Sequence, residues 1–278
     1  FRRARADAVV TLLEAGALAF FVLLVSLEIR NLVTGPIAAY GYPLAERSLD
    51  AIAWLAIALG LERVAARHDP GGPNPVALWG WRVLAGVAAA QVILLQALLV
   101  NPLLTLEPIE GPVLFNIMTL AYLAPAGFAF VFAQRFRQSG QGALAATAGL
   151  IGLGLVWLDL SLEVRHAFHG DYLALGTTGD AELYAYSLVW LGYALGLLAL
   201  ALKTGIASLR YVSLGVLMVT TAKVFLIDMG SLTGLYRVAS FLGLGLSLVG
   251  IGWLYQRFIL PPNRPKTGRD GETPVTPA

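Results

Sequence analysis

The sequence predicts an all-α fold, a polytopic transmembrane helical bundle of about eight spans arranged as two tandem parallel four-helix repeats. Three observations predict it. Of 278 residues, 58% are hydrophobic and only 13% are charged, against about 25% charged in a soluble domain. Apolar runs of about 20 residues, the length that crosses about 30 Å of hydrocarbon, recur along the chain. A Ser-Leu-Glu-x-Arg segment occurs twice, at Ser26–Arg30 and Ser161–Arg165.

The runs lie near Ala8–Leu27, Leu49–Val64, Trp79–Val100, Val113–Phe132, Gly142–Leu162, Leu183–Leu202, Leu209–Ile227 and Leu235–Phe258. Charges, Pro, Gly or Asn separate them, and no strand-like alternation is sustained. The second run is the shortest. The opening Phe1-Arg2-Arg3-Ala4-Arg5 reads as a connector, so the chain is expected to be the C-terminal part of a longer protein.

Basic residues set the expected orientation. Fourteen of the 19 Lys and Arg fall on the side of the two termini: Arg2, Arg3, Arg5, Arg63, Arg67, Arg82, Arg135, Arg137, Lys203, Arg210, Arg257, Arg264, Lys266 and Arg269. Positive loops remain in the cytoplasm, so both termini are expected there, in a bacterial inner membrane. Eleven of the 17 acidic residues lie on or near the outer side. The tail 261–278, rich in Pro, Thr and charge, reads as disordered. Asp69–Pro75 reads as a turn-rich connector.

The repeat extends beyond the pentapeptide. Ala45–Leu61 aligns without a gap with Ala181–Leu197, pairing Glu46 with Glu182 and Trp54 with Trp190. The fourth and eighth spans both end in Gln-Arg-Phe, at Gln134–Phe136 and Gln256–Phe258. The repeats are thus expected at 1–138 and 139–260. Four spans is an even number, so the copies are parallel, related by an axis along the membrane normal.

Leu209-Arg210 opens a span running into Ala222-Lys223-Val224-Phe225-Leu226-Ile227-Asp228, and Leu235–Gly245 and Gly252–Phe258 follow. With Glu182–Ser187 and the Ser-Leu-Glu-x-Arg segments, this pattern closely resembles a bacterial family of membrane proteins catalogued as domain of unknown function 2339. The resemblance implies a membrane protein with longer relatives. It brings no activity with it.

Charges within a bilayer are costly and face the bundle interior or a water-filled cavity. Lys223 lies within the seventh span, about 7 Å below Asp228 at 1.5 Å per residue. Five residues apart, the two do not share a face of an α-helix, which leaves Asp159 or Glu163 as partners. Arg237 opens the eighth span and could bind a phosphate or carboxylate, or pair with Asp228. Glu28 with Arg30, and Glu163 with Arg165, leave the membrane at the ends of spans one and five; residues two apart must each find partners elsewhere. With Glu46 and Glu182, these residues are expected to line an outward-facing polar cleft between the repeats. Salt bridges between repeats are the plainer reading.

Glu163, His166, His169 and Asp171 have a spacing compatible with a metal, but the first repeat lacks both histidines and Gly170 marks a helix end, so surface-loop histidines are expected and no metal. Glu14, Gln91, Gln96 and Asn116 read as inter-helix hydrogen-bonding groups. Ala239, Gly243 and Ser247, four apart, read as a close-packing stripe. Tyr40, Tyr42, Trp79 and Trp81 fit interfacial belts.

The absence of cysteine excludes disulfides and thiolate catalysis. No phosphate loop, nucleophile elbow or dinucleotide fingerprint occurs, so no cofactor is expected. The expected partners are the lipid bilayer and further transmembrane helices of the same longer protein or an envelope complex, with no nucleic acid. A transport-like or lipid- and envelope-handling component is the leading expectation. A structural module of an envelope assembly and a membrane enzyme acting on a lipid-linked substrate are the alternatives.

Overall fold

The computed structural model describes residues 2–36, 41–66, 74–229 and 235–256, with the side chains of 2–7, 235–237, 240 and 254 excepted. The tail 261–278, most of the Asp69–Pro75 connector, Tyr40 and the Arg237 side chain lie outside the described residues.

Every regular element among the described residues is helical. The order is α1 (Arg2–Val33), α2 (Leu44–Ala65), α3 (Pro75–Ala90), α4 (Ala124–Gln138), α5 (Gly142–His169), α6 (Asp180–Thr204), α7 (Ala207–Lys223) and α8 (Leu235–Leu254). Three π-helical segments extend this set. Gln91–Leu99 continues α3, Thr119–Leu123 leads into α4, and Val224–Asp228 continues α7. Their hydrogen bonds include Val100 N–H to Leu95 O at 2.7 Å and Met229 N–H to Val224 O at 3.0 Å.

The termini of the helices follow from local chemistry. The Asn74 side chain accepts from the N–H groups of Val76 (2.8 Å) and Ala77 (3.0 Å), and Pro75 fills the first position, where no donor is needed. Gly170 ends α5 with φ 67°, a left-handed conformation that costs glycine nothing.

Five helical stretches are long and apolar enough to cross a membrane: Ala8–Val33, Pro75–Leu99, Gly142–His169, Asp180–Thr204 and Ala207–Asp228. Phe241–Trp253 is a shorter apolar helix. At 22 residues α2 is about as long as a bilayer core is thick, yet it buries Glu46, Arg47 and Asp50 in its first turns. Its charge is spent inside the protein, which is why its apolar run is short.

Contacts divide the chain into two units, Phe1–Tyr193 and Ala194–Ala278. In the first, α2 packs on α3, α4 on α5, and α1 on both α2 and α3. One core gathers Leu44, Met118, Tyr122, Leu155 and Leu162. A second joins Leu55, Ala58, Ala88 and Phe132, with Trp81 stacked on Phe132 at 6.2 Å. Large apolar side chains point outward, among them Leu12, Phe20, Leu98 and Leu188; for a membrane protein hydrocarbon is the medium that covers them. In the second unit α8 packs on α7 and on Val224–Asp228. A Cβ on Gly243 would meet the Phe225 ring at 3.0 Å, the close approach that a stripe of small residues allows.

Candidate functional site: a buried polar centre and two arginine clamps

The charged residues singled out in the sequence fall into local groups. At the end of α1, Arg30 meets Glu46 at 3.1 Å and donates to the Gly41 carbonyl; the Thr34 hydroxyl donates to the same carboxylate. Glu28, two residues before Arg30, is exposed. At the end of α5, Arg165 meets Glu182 at 3.0 Å. Its guanidinium also donates to the carbonyls of Leu173 (2.9 Å), Leu175 (3.1 Å) and Gly176 (3.1 Å) and to the Thr178 hydroxyl (3.1 Å). One arginine thus ties the loop after α5 to the first turn of α6. His169 and Tyr186 complete the shell of Glu182, at 2.8 and 3.1 Å.

Each clamp stands above a second matched bond. Trp54 Nε1 donates to Ser26 Oγ at 2.9 Å, and Trp190 Nε1 donates to Ser161 Oγ at 3.0 Å. These are the residues that the sequence alignment pairs.

Glu163 takes a different course from Arg165. Its carboxylate accepts from Asn116 Nδ2 and from the Leu114 N–H, both at 2.8 Å. Leu114 holds φ at 70°, a conformation that costs a non-glycine residue free energy. The expectation of surface-loop histidines is corrected at His166. It lies inside α5, is 5% exposed, and has Nδ1 3.3 Å from Asn116 Nδ2. His166 and His169 turn to different partners, and no group of three or more His, Asp or Glu able to hold a metal ion occurs among the described residues.

The expectation that Lys223 and Asp228 lie on different faces is also corrected. Lys223 Nζ is 2.6 Å from Asp228 Oδ1. α-Helical spacing does not apply there, because Val224–Asp228 is π-helical. Where hydrogen bonds run between residues five apart, those residues come to lie over one another.

Between the helices of the first unit lies a polar centre that the sequence showed only in part. Arg47 pairs with Glu107 at 2.8 Å and donates to the Tyr42 carbonyl, while Glu107 also takes the Leu44 N–H. Gln91 donates to the Arg47 carbonyl at 2.8 Å and to the Tyr42 hydroxyl at 3.2 Å, as an inter-helix group should. Tyr42 in turn donates to Asp50 at 2.8 Å; burial and this carboxylate raise its ionisation above the usual tyrosine range. Tyr122, fully buried, donates to the Gln96 backbone carbonyl at 3.0 Å. Its hydroxyl lies within electrostatic reach of Arg47, Asp159 and Glu107.

Two buried side chains of this centre lack hydrogen-bond partners. Both carboxylate oxygens of Asp159 and both amide atoms of Gln96 have none, although the residues are 1% and 0% exposed. Arg47 Nε is likewise unpartnered. Gln96 was expected to bridge helices; its side chain does not. Asp159 shares a face of α5 with Leu155, Leu162 and Glu163, which turns it into the core. Buried polar groups are satisfied in the great majority of cases, and each exception asks for an explanation.

The loop that follows Gln91–Leu99 and the loop after α5 meet beside this centre. Ile109 donates its N–H to the Asp171 carbonyl at 2.8 Å, and Ile109 and Leu173 are both fully buried. Sequence reading missed Arg47, Glu107, Asp50 and Tyr122. The one available signal was their type: charged residues next to an apolar run, and a tyrosine inside one.

No curated protein and no solved structure matches the chain. The model of one family, described as predicted membrane protein (DUF2339), matches residues 1–258. Several apolar helices of spanning length, charges buried among them and a family match over nearly the whole chain lead to one conclusion: this protein is a membrane protein of the DUF2339 family.

Proposed function

We propose that this chain is a transport-like membrane module that handles a small polar or cationic solute at the centre formed by Asp159, Gln96, Tyr122 and Arg47. Eight spans, both termini in the cytoplasm and a bacterial inner membrane are part of this reading, which the distribution of basic residues supports. So are two tandem repeats at 1–138 and 139–260. The two arginine clamps and the two tryptophan–serine bonds support the repeat, because equivalent residues make equivalent contacts at both places.

The observation that carries the functional reading is the unsatisfied carboxylate of Asp159, buried within electrostatic reach of Tyr122, whose hydroxyl bonds the backbone of Gln96, a residue with an unsatisfied amide of its own. Leaving a buried polar group without a partner costs about 1–3 kcal/mol, more for a charged one. An ionisable group retained inside a membrane at that cost marks a functional position. The flanking π-helical segments fit the same reading, since such segments concentrate at functional sites.

The test uses the full chain reconstituted in vesicles with an entrapped pH-sensitive dye and an imposed pH or cation gradient. Wild-type protein dissipates the gradient, and Asp159→Asn does not, while its thermal stability is equal or higher. Equal gradient decay in both proteins, at or above the rate of empty vesicles, overturns the reading.

A second reading has an observation of its own. Arg30, Arg47, Arg165 and Lys223 are each matched by a carboxylate within 3.1 Å, as in a structural module of a larger envelope assembly that has no site. On that reading Asp159→Asn stabilises the protein with no effect on the cell envelope.

A further inference from the structure

A groove of about 570 Å³ runs between α1, α2 and α3, lined almost wholly by apolar side chains, including Leu18, Ala19, Val22, Trp54, Trp79 and Val83. On α1 it extends from Ala15 to Ser26, about 17 Å at 1.5 Å per residue. That is close to one leaflet, half of the ~30 Å hydrocarbon core. Its floor exists because of Gly80, where a Cβ would come within 2.8 Å of Leu18 and 3.3 Å of Leu61.

The lining offers apolar contact along a length close to one leaflet, which suits a hydrocarbon chain.

The rim carries a charge. Arg82 on α3 is exposed, and its guanidinium lies 5.4 Å from the centre of the Trp79 ring and 5.6 Å from that of Trp81. Helical side chains lean toward the N-terminus of their helix. From seven residues inside α3, a long arginine therefore reaches back toward the membrane surface where Pro75 begins the helix. Asn74 and Glu14, bonded at 3.1 Å, mark that same polar end.

We propose that this groove binds one acyl chain of an anionic phospholipid, from the leaflet facing the N-terminal ends of α1 and α3, with Arg82 holding the phosphate. The apolar lining takes the chain, Trp79 stands at the glycerol level, and the guanidinium supplies a donor fork suited to phosphate.

The test is native mass spectrometry of the full chain from nanodiscs of equal phosphatidylglycerol and phosphatidylcholine. Wild-type protein is expected to carry one tightly held lipid, with phosphatidylglycerol favoured about fivefold, the factor that corresponds to about 1 kcal/mol for one basic residue at an anionic surface. Arg82→Gln should bring the ratio to about one while the lipid count stays the same. Ala19→Phe should abolish the retained lipid, with helicity and thermal stability unchanged. Retention of phosphatidylglycerol at wild-type ratio by Arg82→Gln overturns the proposal, as does crosslinking of the groove to a peptide segment in place of lipid. Should Ala19→Phe fail to fold, Arg82→Gln decides alone.

Discussion

Truncating Arg165 to alanine should be among the most damaging single changes in the chain, and its structure states why. The side chain is 9% exposed and its partner Glu182 is 2% exposed. Removing one member of a buried pair typically costs about 3–5 kcal/mol, because the other charge stays behind unpaired. The lost bonds to Leu175 and Gly176 add little, since both residues are exposed and water can replace the donor. Leu173 is fully buried, so its carbonyl adds part of the penalty of an unsatisfied group, about 1 kcal/mol. Arg30→Ala is the internal control. That side chain is 20% exposed and Glu46 keeps its bond from Thr34, so the expected loss is roughly half as large. Thermal unfolding in detergent, followed by intrinsic fluorescence, reads both. Arg165→Ala should lower the midpoint by about 10 °C at the few degrees per kcal/mol usual for this size. Arg165→Met combined with Glu182→Gln should recover most of it, because His169 and Tyr186 still have an amide to bond. Equal losses for the two arginines, or a double variant as unstable as the single, would refute the reasoning.

Lys223→Met should destabilise the protein, because it removes the ammonium that meets the buried Asp228 carboxylate at 2.6 Å, and adding Asp228→Asn should restore part of the loss, as measured by thermal unfolding. Trp54→Phe and Trp190→Phe should each cost about 1 kcal/mol for one lost hydrogen bond. Pairing either with alanine at its serine should add nearly nothing in a double-variant cycle. Gly152→Ala should destabilise by about 1–3 kcal/mol, since the new Cβ would come within 2.6 Å of the Phe130 ring. Gly154→Ala, which meets only open space, should be neutral or slightly stabilising in the same assay.

How much of this was legible in the sequence depended on the distance over which each feature is specified. Helices of membrane length announce themselves, since hydrocarbon imposes a continuous apolar run. The clamps were half legible: the recurrence of Glu46 and Glu182 beside the Ser-Leu-Glu-x-Arg segments flagged the residues, while the pairing of Arg30 with Glu46 came from the fold. Glu163 and Arg165 illustrate the rule that neighbours two apart diverge, one going to Asn116 and the other to Glu182. Lys223 and Asp228 defeated the reading because it presumed α-helical geometry where the backbone is wider. The polar centre was least legible. Gln96, Glu107, Tyr122 and Asp159 come from four separate stretches of chain, and no local pattern tells which buried groups will lack a partner. Helix α2 was read as a short span for a reason now visible, that Glu46, Arg47 and Asp50 interrupt its apolar run yet are buried by the fold.

The widened turn at Val224–Asp228 acts as a phase setting for everything beyond it. An α-helix advances about 100° per residue, so deleting a single residue there would return the helix to ordinary winding and swing Asp228 away from the ammonium group. Length variation at this point should therefore be far less tolerated than substitution.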